Sequence, residues 1–147
     1  MKYQYGKERW YNKNFPGRDD VVLWDVVEIE HEQIIKITFV SKNSDFRQGI
    51  RLGIDMGKGY IEIEGVRYIA ETLWADTTPK EVVCRCISSA GLLRVFNVYS
   101  TKFVSIDSQS HSSGMLIEEQ DGKRIYRCND FGFETNFDRL VFTLEKL

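Results

Sequence analysis

The cysteines, the histidines and a scatter of carboxylates are the side chains of this sequence able to bind a metal or drive a bond-breaking step, and their spacing decides what each can do. Cys84 and Cys86 stand at i and i+2, so in a strand both thiols point to one side, where His31, His111 or Cys128 could complete a ligand set. A structural zinc site usually shows two close ligand pairs, and here the partners are scattered, so no metal is expected. Free cysteine is among the most buried residue types, and core packing of three reduced thiols is the expected role. The segment Ser108-Gln-Ser-His-Ser-Ser-Gly114 places His111 among hydroxyls, the residue types of nucleophilic catalysis. It has no G-x-S-x-G elbow to hold a nucleophile, so it reads as a solvated connection. His31, within Glu28-Ile-Glu-His-Glu32, reads as an exposed turn rather than a general base. Glycoside hydrolysis needs two carboxyls roughly 5–10 Å apart. Nothing in the spacing selects such a pair: Glu62 and Glu64 alternate with Ile61 and Ile63 as the wet side of a strand, and Asp19-Asp20 follow a Pro-Gly turn. Asn129–Asn136 gathers Asx oxygens, a glycine and aromatics, but not in the order of a calcium loop. No catalytic residue and no cofactor is expected.

Recognition without catalysis asks for other residues. Tryptophan and tyrosine stack on sugars or anchor protein interfaces, and arginine grips planar oxyanions with its fork of donors. The expected ligand-binding residues are Trp74, assigned to a loop beside Ala75-Asp-Thr-Thr-Pro79, and Arg85, Arg94 and Phe96 on two adjoining strands. Most of the other aromatics are expected to fill the core.

Strands must position these residues. The 147 residues have the size of one domain, 1–147, and aromatics at 13% favour strands. Eleven strands are expected: Val21–Glu30, Glu32–Ser41, Phe46–Asp55, Gly59–Glu64, Val66–Glu71, Glu81–Ser88, Leu92–Ser100, Lys102–Asp107, Met115–Gln120, Lys123–Cys128 and Arg139–Lys146. Asp121-Gly122 suits a two-residue type I′ loop, which sets Glu119 opposite Arg124 and turns Met115, Ile117, Tyr126 and Cys128 to the core. Ser88-Ser-Ala-Gly91 is expected to close a second hairpin, with Ile87 opposite Leu92 and Arg85 directly across from Arg94. Cys84, Cys86, Val82, Leu93, Val95 and Asn97 would then share its apolar face. Opposed arginines call for acidic partners.

The segments Gly91–Tyr99 and Phe137–Leu144 resemble strands of jelly-roll, galactose-binding-like domains, the architecture of many carbohydrate-binding modules. The chain is also similar to small uncharacterised bacterial proteins, a likeness that implies no activity. The first resemblance implies two packed antiparallel sheets with a ligand on loops or a concave face. The expected fold is therefore all-β, an antiparallel two-sheet sandwich of jelly-roll type. The expected function is non-catalytic binding of a carbohydrate-like or small polar ligand. A protein-recognition domain, such as an inhibitor or immunity protein of a bacterial toxin, comes second, and a hydrolase on a jelly-roll scaffold third. Basic and acidic residues, 20 against 22, are interspersed, so nucleic acid is not an expected partner. No apolar run suggests a signal or a membrane span, and with reduced thiols a cytoplasmic location is expected.

Overall fold

The computed structural model describes residues 8–55, 57–100, 113–130 and 136–147. The expected strand Lys102–Asp107 lies outside the described residues, as do most of Ser108–Gly114 and the centre of Asn129–Asn136. The strands are β1 (Trp10–Tyr11), β2 (Val22–Glu28), β3 (Glu32–Lys42), β4 (Arg47–Gly53), β5 (Gly59–Ile63), β6 (Val66–Tyr68), β7 (Ala70–Trp74), β8 (Glu81–Ser88), β9 (Leu92–Ser100), β10 (Gly114–Gln120), β11 (Lys123–Asn129) and β12 (Leu140–Lys146). Among the described residues no helix is long and apolar enough to cross a membrane. The β10–β11 hairpin has the expected register: Asp121 (φ 54°) and Gly122 (φ 77°) form the turn, and Glu119 faces Arg124. Met115, Tyr126 and Cys128 are fully buried, and Ile117 packs against the same core.

All pairings are antiparallel and run in one path, β6-β5-β8-β3-β12-β11-β10-β2-β9-β4-β7, with β1 beside β2. The path curls into a nearly closed barrel, because its two edge strands, β6 and β7, are consecutive in the chain with Ile69 alone between them. Along the path, the series β6-β5-β8-β3 and the series β7-β4-β9-β2 are joined through β12, β11 and β10. Each connection β2 to β3, β8 to β9, β4 to β5 and β6 to β7 carries the chain from one series to the other. These crossings stack in that order through backbone hydrogen bonds: Ile29 N to Gly91 O and Ser88 N to His31 O (both 2.9 Å), Ser89 N to Lys58 O (2.7 Å), and Ile54 N to Ile69 O (2.8 Å). The stack is tight, since a Cβ on Gly59 (φ 153°) would meet Ile87 O at 1.8 Å.

The expected hairpin across Ser88–Gly91 is therefore corrected. β8 pairs with β3 and β5, β9 with β2 and β4, and Arg85 lies opposite Ile34 and Glu62 rather than Arg94. The expected faces survive the change, because a four-residue loop can turn the chain sideways within a sheet or over the interior without altering the two-residue alternation. Cys84, Cys86, Val82, Leu93, Val95 and Asn97 are all buried. A second correction concerns Trp74, which ends β7 rather than standing in a loop.

The main apolar cluster holds Tyr126 stacked on Phe142 at 4.5 Å between ring centroids, and a smaller one gathers Phe15, Val21 and Phe137. A carboxylate intrudes. Asp25 is completely buried, and its oxygens accept from Arg9 Nε (2.8 Å), Arg124 Nη1 (2.8 Å) and the Tyr126 hydroxyl (2.7 Å). Burial first, and then the adjoining charge of Asp25, push the Tyr126 phenol well above its ordinary value, so it stays protonated and donates. Burial on its own would lower the Arg124 guanidinium, but the charge of Asp25 leads the effects that raise it. Asp25→Ala strands buried donors and is expected to cost about 3–5 kcal/mol, whereas Tyr126→Phe, which removes one hydrogen bond, should cost about 1 kcal/mol. Urea unfolding of the two variants checks both the size and the order of these losses.

Candidate functional site

β2, β9, β4 and β7 present an outward face whose composition follows from strand alternation. On β4 the outward positions read Arg47, Gly49, Arg51, Gly53, while Gln48, Ile50 and Leu52 point in and are buried. The register sets Val26, Arg94, Gly53 and Ala70 in one row across the face. Phe96, Arg51 and Thr72 form the next row, with Trp24 beside Phe96 at 6.2 Å between ring centroids. Gly49 and Trp74 follow, and a Cβ on Gly49 would lie 2.9 Å from the Trp74 ring, so glycine is what lets the indole lie flat on β4. The Arg47 guanidinium covers the Trp74 ring at 4.3 Å and is gripped by Asp76 at 2.9 Å. Trp10 meets Trp24 edge-on at 5.6 Å.

Of the expected ligand-binding residues, Trp74, Arg94 and Phe96 come together on this face, and all three are partly buried. Arg94 is ion-paired with Asp55. Arg85 does not join them. It stands on β8 in the other series, where it pairs with Glu32 (2.7 Å) and Glu62 (3.7 Å). Glu62 also reaches Arg67 (3.6 Å), so the expected acidic partners exist and tie Arg85 into a surface network. Trp24 and Arg51 were not among the expected site residues. Their signal was the alternation Arg-x-Gly-x-Arg-x-Gly at 47–53 and the Trp24 beside an inward Asp25.

Two depressions open elsewhere among the described residues. One, of about 300 Å³, opens beside the β10–β11 turn between Val27, Glu119, Arg124 and Leu144. The other, of about 350 Å³, lies between Tyr11, Val22, Ile117 and Arg127. Neither brings two unpaired carboxylates together: Glu119 is held by Arg124, Glu118 by Arg127 and Asp20 by Arg18. At the far end of the barrel the buried Asp130 accepts from the Ser44 hydroxyl and from Gln48 Nε2 (2.7 Å), with Arg139 Nε at 3.9 Å. This arrangement secures the start of β4 to the end of β11. His31 is exposed, with Nδ1 3.3 Å from Ser88 O.

Cys84, Cys86 and Cys128 are free and fully buried in the core. Among the described residues no group of three or more His, Cys, Asp or Glu is placed to hold a metal ion. Burial pushes the Cys84 and Cys86 thiols from an ordinary 9.0 up to about 12, with Cys84 adding to the effect on Cys86. An unfolded thiol ionises near 9.0 and a folded one does not until about 12, so stability should fall as pH rises through that window. The fall should be smaller in the Cys84→Ala/Cys86→Ala double variant. Ellman's reagent at about pH 8 is expected to leave these thiols unmodified until denaturant is added. Reaction of Cys84 or Cys86 in the native protein would contradict their assignment to the core.

No protein-family model, no curated protein and no solved structure matches the chain, so the chemistry of the site rests on its own geometry.

Proposed function

We propose that the chain is a non-catalytic binding domain whose ligand, carbohydrate-like, lies on the outward face of β2, β9, β4 and β7. The observation that carries this reading is the meeting of Trp24 and Phe96 with Arg51 and Arg94 on one face, with Trp74 at its margin beneath Arg47 and a glycine, Gly53, in the row beside them. Aromatic planes accept the apolar side of a sugar ring, and guanidiniums hydrogen-bond its oxygens. The antiparallel, nearly closed barrel offers its outer surface for recognition; fold likeness alone does not assign the ligand.

One feature favours a second reading, a protein-recognition domain such as an inhibitor or immunity protein of a bacterial toxin. Neither of those two depressions lies on this face, and a face of aromatics and arginines spread over four strands also suits a protein partner.

Phe96→Ala and Trp74→Ala should each lower affinity for a bound glycan by about tenfold or more. Far-UV circular dichroism should be unchanged. A glycan array probed with the intact chain and with both variants makes the test. If the chain captures no glycan, the carbohydrate reading is lost and the protein-recognition reading takes its place.

A further inference from the structure

Three arginines project from the centre of this face, and only two of them have an acid. Arg47 is held by Asp76 and Arg94 by Asp55. Arg51 donates from Nη1 to the Thr72 hydroxyl at 2.9 Å, and no carboxylate among the described residues lies within ion-pair distance of it. A guanidinium carries five N–H donors in a rigid fork, and partial burial removes water from them without supplying an opposite charge. The cost of that arrangement disappears when a planar oxyanion docks.

The ground beside Arg51 is shaped for such a group. Gly53 lies two residues on, on the same side of β4, and a Cβ built there would meet its nearest atom, the Ala70 methyl, at 3.9 Å. A side-chain carbon would fit there in ordinary contact, whereas the corresponding place at Gly49 is filled by the Trp74 ring. Across from Arg51 on β9 stands Phe96, with Trp24 beyond it, an apolar surface next to a guanidinium that has a hydroxyl but no acid for a partner.

We infer that the ligand is an acidic saccharide, its carboxylate or sulfate ester held by Arg51 while the ring rests on Phe96 over the gap at Gly53. This rests on the reading of the face as a carbohydrate-binding surface and names the chemical class of that carbohydrate. The charge is recognised in a partly buried position, so the interaction is weakened but not erased by salt.

Calorimetry on the intact chain with an oligogalacturonate, a sulfated galactan oligosaccharide and a neutral galactan oligosaccharide of equal length tests the inference. One acidic ligand should bind about tenfold or more tightly than the neutral one, and which one it is tells a carboxylate site from a sulfate site. Arg51→Gln should abolish that preference without changing the melting temperature, and Arg51→Lys should restore part of it. Gly53→Val, which fills the gap and leaves every charge in place, should weaken the acidic ligand to a similar degree. Equal binding of neutral and acidic ligands that is lost in Phe96→Ala would overturn the acidic class while leaving the binding face. An acidic preference that persists in Arg51→Gln would remove Arg51 from the site. Failure of all three ligands to bind would overturn both the class and the carbohydrate reading beneath it.

Discussion

A fully buried carboxylate is tolerable only when its charge is matched on the spot, and Asp25 meets that condition by drawing a guanidinium from each of two directions and a phenol from the core. The consequence is architectural. β10 and β2 exchange backbone pairing only at Met115 and Val22, the least-paired junction in the path that joins the two strand series. Arg124 crosses that junction, bonding both the Asp25 carboxylate and Val26 O (3.2 Å), while Arg9 brings in the chain just ahead of β1. The ion cluster thus does with side chains what the ladder does elsewhere with backbone. It also sets the outer face. With Asp25 held inward, alternation along β2 leaves Trp24 and Val26 no choice but to face out.

The stacked crossings have a second consequence for the candidate site. Its strands, β2, β9, β4 and β7, are neighbours in space and none follows another in the chain. Trp24, Phe96, Arg51 and Thr72 meet only after four separate segments have taken their places. Such a face is held by its backbone ladder and not by loops, which keeps its aromatic planes and guanidiniums in fixed relation. Strand pairing at this sequence separation closes long loops before any contact rewards them, so folding should be slow for a chain of this size.

The core and the outer face divide the reactive side chains between them. The thiols are held inside, protonated by burial and remote from solvent. Apart from Asp25 and Asp130 the charges are held outside, and the arginines of the two series are mostly paired: Arg85 with Glu32 and Glu62, Arg47 with Asp76, Arg94 with Asp55. Against that background of matched ions, a partly buried Arg51 with a hydroxyl as its partner is the exception that gives the face a chemical preference.

The inward and outward sides of the strands were legible in the residues alone. A period of two is a local property, so Met115, Tyr126 and Cys128, or Cys84, Cys86 and Val95, show their burial through their neighbours in sequence. The Asp121-Gly122 turn was legible for the same reason, since its backbone angles are a property of those two residues. The partners of β8 and β9 were not. Ser88–Gly91 is compatible both with a hairpin and with a crossing over the interior, and the choice depends on which strands lie ready on either side, β3 and β5 for one, β2 and β4 for the other. That choice separated Arg85 from Arg94, made Arg51 and Trp24 neighbours of Phe96, and put Trp74 on the glycine of another strand. Local pattern decides which way a side chain points; only the closing of distant strands, a matter of long-range hydrogen bonding and core packing, decides what it points beside.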